Sequence, residues 1–526
     1  MRKFGNGALT AVAAIAMLGA APTRAEAPAA YKEAAASGVD ARAKLVQEMV
    51  DSIFSFAEPG FQEFRTQEYV TAILEENGFT IEKGVAGIPS AWTATWSNGE
   101  GPKIALGSDV DGLLGLSQKP GVAEITPLVK GAPGHGEGHN SGIPAMVAAA
   151  LAVKDVMEAE GITGTLMIWP GIAEELLATK AYYVREGIFD GFDACIFAHV
   201  SPAFGTAYGQ SQSTGMVSVE YTFQGKTSHG AGAPWAGRSA LDGVELMDVA
   251  WNFRREHLPL TQRSHYVITN GGGQPNIVPG EASVWYYFRD VSFDGIRTLF
   301  ETGNTIAEAA AEMTGTTMTR RTLGYAAPQW PNKPIAEAAY KNIQAVGMPE
   351  WSAEDQAFVR RLQEANNREL MPLATEVAPL GVPSGNPPMG GPSDDVGDIM
   401  WTLPTITIGY PSQAPNVIFH NVLAAMAMAT PIAHKGAVAG AKAVAMTTLD
   451  LLTTPELLAE AKKYQQEVQF AEQSYDPLIT AEDQPAIDLN AEIMRELRPQ
   501  MEEYYYDPAR YDSYLDQLGI SYPEGE

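Results

Sequence analysis

Between residues 31 and 210 the chain alternates two kinds of apolar segment, and this alternation constrains the fold more than any other feature. ARAKLVQEMVDSIFSFAEPG, TQEYVTAILEENGF and IPAMVAAALAVKDVMEAEG carry helical spacing and stop at glycine or Pro-Gly. Interleaved with them are the short apolar runs PKIALGSDVDG, GTLMIWPG and FDACIFAHV. Strands alternating with helices of this length predict an α/β domain with a mostly parallel sheet and helices on both faces. Ligands of such sheets gather at the carboxyl ends of the strands. Asp109, Asp111, Glu174, Glu175 and His199 fall at or just past those ends, and five ionisable groups there are hard to explain as packing.

Residues 213–326 follow a different pattern. GMVSVEYTFQG, SHYVITNGGG, EASVWYYFRDV and TTMTRRTLGYA read as strands, with helices at RSALDGVELMDVAWNFRREH and GIRTLFETGNTIAEAAAEMTG. The order βαββαβ is that of a small ferredoxin-like domain, inserted into the larger unit as a lid. The larger unit, begun at 26–212, resumes at 327–465 with the returning strand TLPTITIGYP and one or two long helices from IAHKGAVAGAKAV onward. Residues 466–526 form an acidic, tyrosine-rich extension, expected to be an arm packed on the surface and without chemistry.

The first 25 residues are set apart from the fold. Arg2 and Lys3, an apolar stretch from Ala8 to Ala21 and a small-residue site at Thr23-Arg24-Ala25 predict a secretory signal peptide cut near Ala25, and so an exported, periplasmic protein. No later apolar run reaches the ~20 residues of a transmembrane helix. Loss of Arg2, Lys3 and Arg24 takes the formal charge from −28 to −31. Such a surface argues against nucleic acid or anionic lipid as partners. Cys195 is the only cysteine, so no intramolecular disulfide forms and no metal site rests on paired thiolates.

A divalent metal needs imidazoles and carboxylates converging from separate strands and loops. Asp111, Glu137, His139, Glu174, Glu175, His199 and His420 are the candidates. Glycines flank Glu137 and His139 in GAPGHGEGHNSG and let the backbone bend so that both side chains point one way. The adjacent Glu174 and Glu175 can divide labour, one as ligand and one as proton shuttle. His229, in the lid, is placed to reach a partner's site or to close over its own and steady an oxyanion. Asn276 and Arg289 lie thirteen residues apart on the lid, and the arginine fork suits a substrate carboxylate.

Taken together, GFQEF, DGLLGLSQ, GHGEGHN, EEL…K, VREGIFDGFDA, GRSALD, ITNGGGQPN, EVAP, DVGDIMWTLP and IAHKGA resemble the metal-dependent aminoacylase and glutamate-carboxypeptidase superfamily. The nearest branch is the amidohydrolases that include p-aminobenzoyl-glutamate hydrolase. The likeness spans roughly residues 40–465. It implies Glu137, His139, Glu175, His199 and His420 as ligands of two divalent ions, zinc or manganese. It implies Glu174 as general base, His229 as the lid histidine and Asp111 as a carboxylate behind the site. Asn276, Arg289 and Arg238 would bind substrate. A homodimer through the lid is implied, with a second kind of subunit also open.

One position departs from the pattern. The branch carries cysteine where this chain has Glu137. A carboxylate can bridge two ions as a thiolate does, but it is a harder ligand, which predicts a shift toward Mn²⁺ or weaker zinc. It also resists oxidation outside the cytoplasm. The expected activity is hydrolysis of the amide of N-acyl or N-aroyl amino acids. The alternatives are a dipeptidase or carboxypeptidase, and a periplasmic binding protein without turnover, for which the Glu174-Glu175 pair has no use.

Overall fold

The computed structural model describes residues 26–385, 389–471 and 473–523. The predicted signal peptide lies outside them. Helices α1 (Ala29–Asp40), α2 (Ala43–Phe56) and α3 (Phe64–Glu76) lead into strands β1 (Thr80–Lys83), β2 (Trp92–Ser97) and β3 (Lys103–Asp109). Then follow α4 (Gly142–Glu160), β4 (Thr165–Gly171), α5 (Lys180–Arg185), β5 (Ala194–Ser201) and the short β6 (Gly205–Thr206). Helix α4 is buried along most of its length and stops where Gly161 takes a left-handed φ of 66°. Its run of alanines lets it lie close to β3 and between neighbouring helices.

The lid is built as its pattern predicts. It runs β7 (Gly215–Gln224), α6 (Ala240–Arg255), β8 (Arg263–Asn270), β9 (Glu281–Asp290), α7 (Phe293–Thr314) and β10 (Thr317–Ala326). The sheet order is β10-β7-β9-β8, antiparallel throughout. Alternation along β9 sorts its side chains. Val284, Tyr286 and Phe288 join the core under α6 and α7. Tyr287 and Arg289 therefore face the other way, toward the larger unit, where Tyr287 packs on Leu177 and Met216.

The chain then returns through α8 (Lys333–Val346), α9 (Ala353–Ala365), α10 (Val396–Met400), β11 (Thr405–Pro411), α11 (Val422–Ala425), α12 (Pro431–Thr453) and α13 (Pro455–Tyr464). The large sheet has the order β1-β2-β4-β3-β5-β11-β6. Strands β4, β3, β5 and β11 are parallel, and antiparallel strands stand at both margins. The parallel strands are continuous apolar runs because both of their faces are covered. Strands β1 and β2 had no strand expectation from the sequence. They are short and β1 is largely exposed, so no apolar run marks it.

The C-terminal extension is more than a surface arm. Helix α14 (Ala491–Met501) and the turns after it bury Met494, Met501, Tyr506 and Tyr514. Tyr514 packs on Phe54 of α2, and Met494 and Met501 cluster with Ala57, Val129 and Ala132.

Candidate metal centre and active site

The four parallel strands all deliver their carboxyl ends to one place. Asp109 closes β3, and Asp111 lies two residues beyond it. Glu174 and Glu175 sit in a one-turn helix just after β4, and His199 stands near the end of β5. His420 comes from the loop after β11, and Glu137 and His139 from the loop before α4. Gly138, between those two, has φ +114°, and a Cβ there would collide with Met428. This is the bend that sets both side chains to one side. His420, itself at φ +57°, donates its backbone N–H to the Gly136 carbonyl (3.0 Å), which ties the two ligand loops together.

Five predicted ligands meet here. His199 Nε2 lies 3.3 Å from Glu137 Oε1, and His420 Nε2 lies 2.9 Å from Glu137 Oε2. His420 Nε2 is also 3.1 Å from Glu175 Oε2. His199 Nδ1 donates to the Val200 carbonyl (2.9 Å), which leaves the Nε2 lone pair aimed at the cluster. The rings of His139 and His199 stand 5.5 Å apart, edge to face. Donor atoms group as Asp109, His139 and His199 on one side and Glu137, Glu175 and His420 on the other, each set within 4.8 Å. Glu137 turns one oxygen toward His199 and the other toward His420, so it is the carboxylate placed to serve both groups if they hold cations.

The unsatisfied atoms test whether cations fit. His139 is buried, yet neither ring nitrogen makes a well-directed hydrogen bond, and the same holds for Glu175 Oε2, Asp109 Oδ2 and Asp111 Oδ1 despite their nearby imidazoles. Buried polar groups are rarely left so. Lone pairs of imidazole and carboxylate converging on one point repel unless a cation lies between them. The nitrogen and oxygen donor set suits zinc or manganese. His139 Nδ1 lies 3.5 Å from Asp111 Oδ1, so Asp111 stands behind the ring. His135 takes no part: Nε2 meets the Ile53 carbonyl (3.1 Å) and burial pushes its pKa down to about 3, keeping it neutral.

The turn bearing Glu174 and Glu175 is gripped at both ends. Ala173 and Leu177 flank it at φ +52° and +50°. The Ala173 N–H donates to Glu63 Oε1 (2.9 Å), and the Glu175 N–H to Asp111 Oδ2 (3.1 Å). Burial and the charges of Asp109 and Asp394 push the Glu174 carboxyl well above the usual range. Burial alone would raise Glu137 as well, but the His420 hydrogen bond and the charges of His199 and His139 outweigh it and hold Glu137 at about 2.

Behind this cluster is a second one. Lys180, with no exposed surface, reaches Asp109 (2.6 Å), Asp394 (3.7 Å) and, closest of all, Asp395. The motifs EEL…K and DVGDIM lie at these residues, but their roles show only once the strands are assembled.

The front cluster opens into a cavity of about 820 Å³ between the sheet and the lid. Glu137, Glu174, Glu175, His199 and His420 line it, together with Arg289 and the apolar side chains of Leu177, Tyr287, Ile418 and Phe419. Arg289 lies over the Tyr287 ring and donates to Ser393 Oγ (2.8 Å), while its Nε is unpaired. His229, Asn276 and Arg238 are not in this lining. His229 is exposed and its Nδ1 accepts from the Gly232 N–H (2.9 Å); the Gly230 N–H donates to the Asn276 carbonyl (2.8 Å). These two thus lie on two lid loops that meet, apart from Arg289 with which the sequence paired Asn276. Arg238 donates to the Gly237 carbonyl (2.6 Å).

Known proteins are similar to this chain in sequence and fold. A peptidase dimerisation domain matches residues 211–314, the lid. The B component of the Escherichia coli p-aminobenzoyl-glutamate hydrolase is 34% identical over 84% of this chain and 96% of its own length. A mouse Xaa-Arg dipeptidase is 28% identical over 82% of this chain and 91% of its own. The fold is also that of an aminobenzoyl-glutamate utilization protein from Klebsiella pneumoniae, with a TM-score of 0.53 and 17% identity over 78% of this chain and 96% of that one. With an inserted lid of the dimerisation type and ligand loops at the ends of a parallel sheet, this chain belongs to the M20 family of metal-dependent peptidases and amidohydrolases.

Proposed function

We propose that this protein is an exported hydrolase of N-acyl or N-aroyl amino acids, of the kind represented by p-aminobenzoyl-glutamate. The observation that carries the reading is the shared cavity, whose lining combines the converging candidate ligands and Glu174 with Arg289 and apolar side chains. Glu137, His139, Glu175, His199 and His420 would hold two divalent ions. When bound, such ions supply Lewis acidity, which polarises an amide carbonyl and acidifies water. Glu174 takes the proton of the attacking water and passes it to the leaving amine. Arg289 grips the free carboxylate of the substrate and so sets the register of the amide against Glu174. The apolar side chains receive the acyl or aroyl group and exclude solvent.

His229 and Asn276, absent from the cavity of their own chain, complete the site from the lid of a second copy or after lid closure. The lid supports dimerisation: β8 is a free edge with exposed Val267 and Ile268, and Val249 and Phe253 are exposed on α6. The similarity to Xaa-Arg dipeptidases makes small peptides the competing substrates.

The test is amino-acid release from p-aminobenzoyl-glutamate, N-acyl amino acids and Xaa-Arg dipeptides, with Mn²⁺ or Zn²⁺ and then with chelator. Chelator-sensitive release from the first two groups is expected, with capped carboxylates poor. Equal rates on capped substrates would remove Arg289 from its role. Release from dipeptides alone would transfer the site to peptidase chemistry.

A further inference from the structure

We propose that Glu63 is a positioning residue for the turn carrying Glu174 and Glu175, and that the C-terminal extension, through Asn490 and Arg498, holds the loop from which Glu63 acts. The inference rests on the reading of Glu174 as base and Glu175 as ligand.

Glu63 has no exposed surface, and its carboxylate is filled by three donors. Oε1 accepts from the Phe61 N–H (3.0 Å) and the Ala173 N–H (2.9 Å), and Oε2 from Ser90 Oγ (2.8 Å). Ala173 directly precedes Glu174 and is held at φ +52°, a conformation an alanine leaves when nothing opposes it. With Asp111 on the Glu175 N–H, the two carboxylates clamp the turn from either end. Gly60 of the same loop lies so near that an added Cβ would stand 2.8 Å from Ala173 Cβ. The loop and the catalytic turn therefore move as one body.

The loop is in turn held from its far side by the extension. Asn490 Nδ2 donates to the Gly60 carbonyl (3.0 Å), Arg498 Nη2 to the Gln62 carbonyl (2.8 Å), and Gln62 Nε2 to the Leu489 carbonyl (3.3 Å). Arg498 Nη1 also pairs with the buried Glu58, whose carboxylate caps α3 through the Arg65 and Thr66 N–H groups (3.0 and 2.8 Å). A contiguous path thus runs from Asn490 and Arg498 through residues 58–63 to Ala173 and Glu174. A tail that merely covered the surface would not place its polar side chains on the carbonyls of this one loop.

The experiment uses the full chain and two readouts: Mn²⁺ affinity by competition with a fluorescent chelator, and kcat and KM on p-aminobenzoyl-glutamate. Partners one step behind a ligand typically change metal affinity or activity ~10–100-fold. Glu63→Ala should lower both Mn²⁺ affinity and kcat by that order, with KM moved less than ~3-fold. Glu63→Gln should restore both to within ~3-fold, because one oxygen still takes both N–H groups and the amide can donate to Ser90. The double variant Asn490→Gly with Arg498→Lys keeps backbone and charge but frees the loop carbonyls, and should lower kcat ~3–10-fold. A folded Glu63→Ala with unchanged affinity and kcat overturns the proposal, as does a Glu63→Gln as impaired as the alanine. If Glu63→Ala does not fold, wild-type values in the double variant overturn it. Wild-type protein that binds no Mn²⁺ would instead remove the reading of the site on which it rests.

Discussion

Two sets of carboxylates lie against each other at the ends of β3 and β4, and they are balanced in opposite ways. In the rear set, Asp109, Asp394 and Asp395 surround an ammonium that the chain itself provides, Lys180. Burial alone would strip the proton from Lys180, but carboxylates on three sides outweigh it and keep the lysine charged. In the front set, Glu137 and Glu175 face imidazoles, and the buried ring nitrogens of His139 make no well-directed hydrogen bond. In the rear set the chain supplies its own counter-charge, although Asp109 Oδ2 is left without a hydrogen-bond partner. The front set has no paired lysine or arginine among the described residues, and its donor set suits cations from outside. Geometry that merely counts acidic groups would group Asp109, Glu174 and Asp394 as a third metal site, yet Lys180 already occupies that role.

The contrast predicts that changes in front cost function and changes behind cost the fold. The largest effect is expected for Glu174→Gln, which should lower kcat by ~10²–10⁴-fold, the usual worth of a general base. Its melting temperature and metal content should stay at wild-type values. An active Glu174→Gln would move the base elsewhere. Lys180→Met comes next. It leaves the buried Asp109 and Asp395 and the half-buried Asp394 without their counter-ion and should destabilise by about 3–5 kcal/mol, read from the urea midpoint. A Lys180→Met protein of normal stability that bound an extra divalent ion would break the comparison, since the rear set would then be a metal site in waiting.

Glu137→Cys should be milder. Replacing a hard bridging oxygen by sulfur should favour zinc over manganese by ~10-fold in competition, with little change in stability. A variant that kept its manganese preference would show that the other four ligands set metal choice.

The smallest effect is in the pH dependence of the metal-free protein. Burial pushes the Glu175 carboxyl up to about 8 and Glu174 also upward. The folded state therefore keeps protons that the unfolded chain releases above about pH 4.3. Stability from these groups is present at low pH and is lost as pH rises toward 8. With chelator, the melting temperature should fall from about pH 5 to about pH 8. With Mn²⁺ bound, the carboxylates ionise in the folded state too, and the slope should flatten. Equal slopes would mean that these groups do not face the metals.

Much of this architecture is legible in the chain itself. Long apolar runs mark β3, β4, β5 and β11, because strands buried on both faces cannot alternate. The lid is legible from its order of elements. The candidate ligands stand out because glycine loops and strand ends are where such residues have little other use. Other parts are not legible. Glu63 and Lys180 fall within the motifs GFQEF and EEL…K, but the motifs do not show their roles, and each acquires its meaning from a partner 110 or 71 residues away. The apolar residues of the extension, such as Met494, Met501 and Tyr514, gave no recognisable period, so their burial against α2 and the Val129 region had no local signal.

Local sequence settles the elements, the inserted lid and the identities of the groups at the strand ends, because periodicity and chain order act over a few residues. Three further features arise only when distant segments meet. Glu137 faces both ligand sets, Arg289 enters the cavity while Asn276 remains with His229, and Lys180 neutralises the rear carboxylates. Each is a matter of a few ångströms between remote parts of the chain, and electrostatic balance in a buried site is set by those distances rather than by composition.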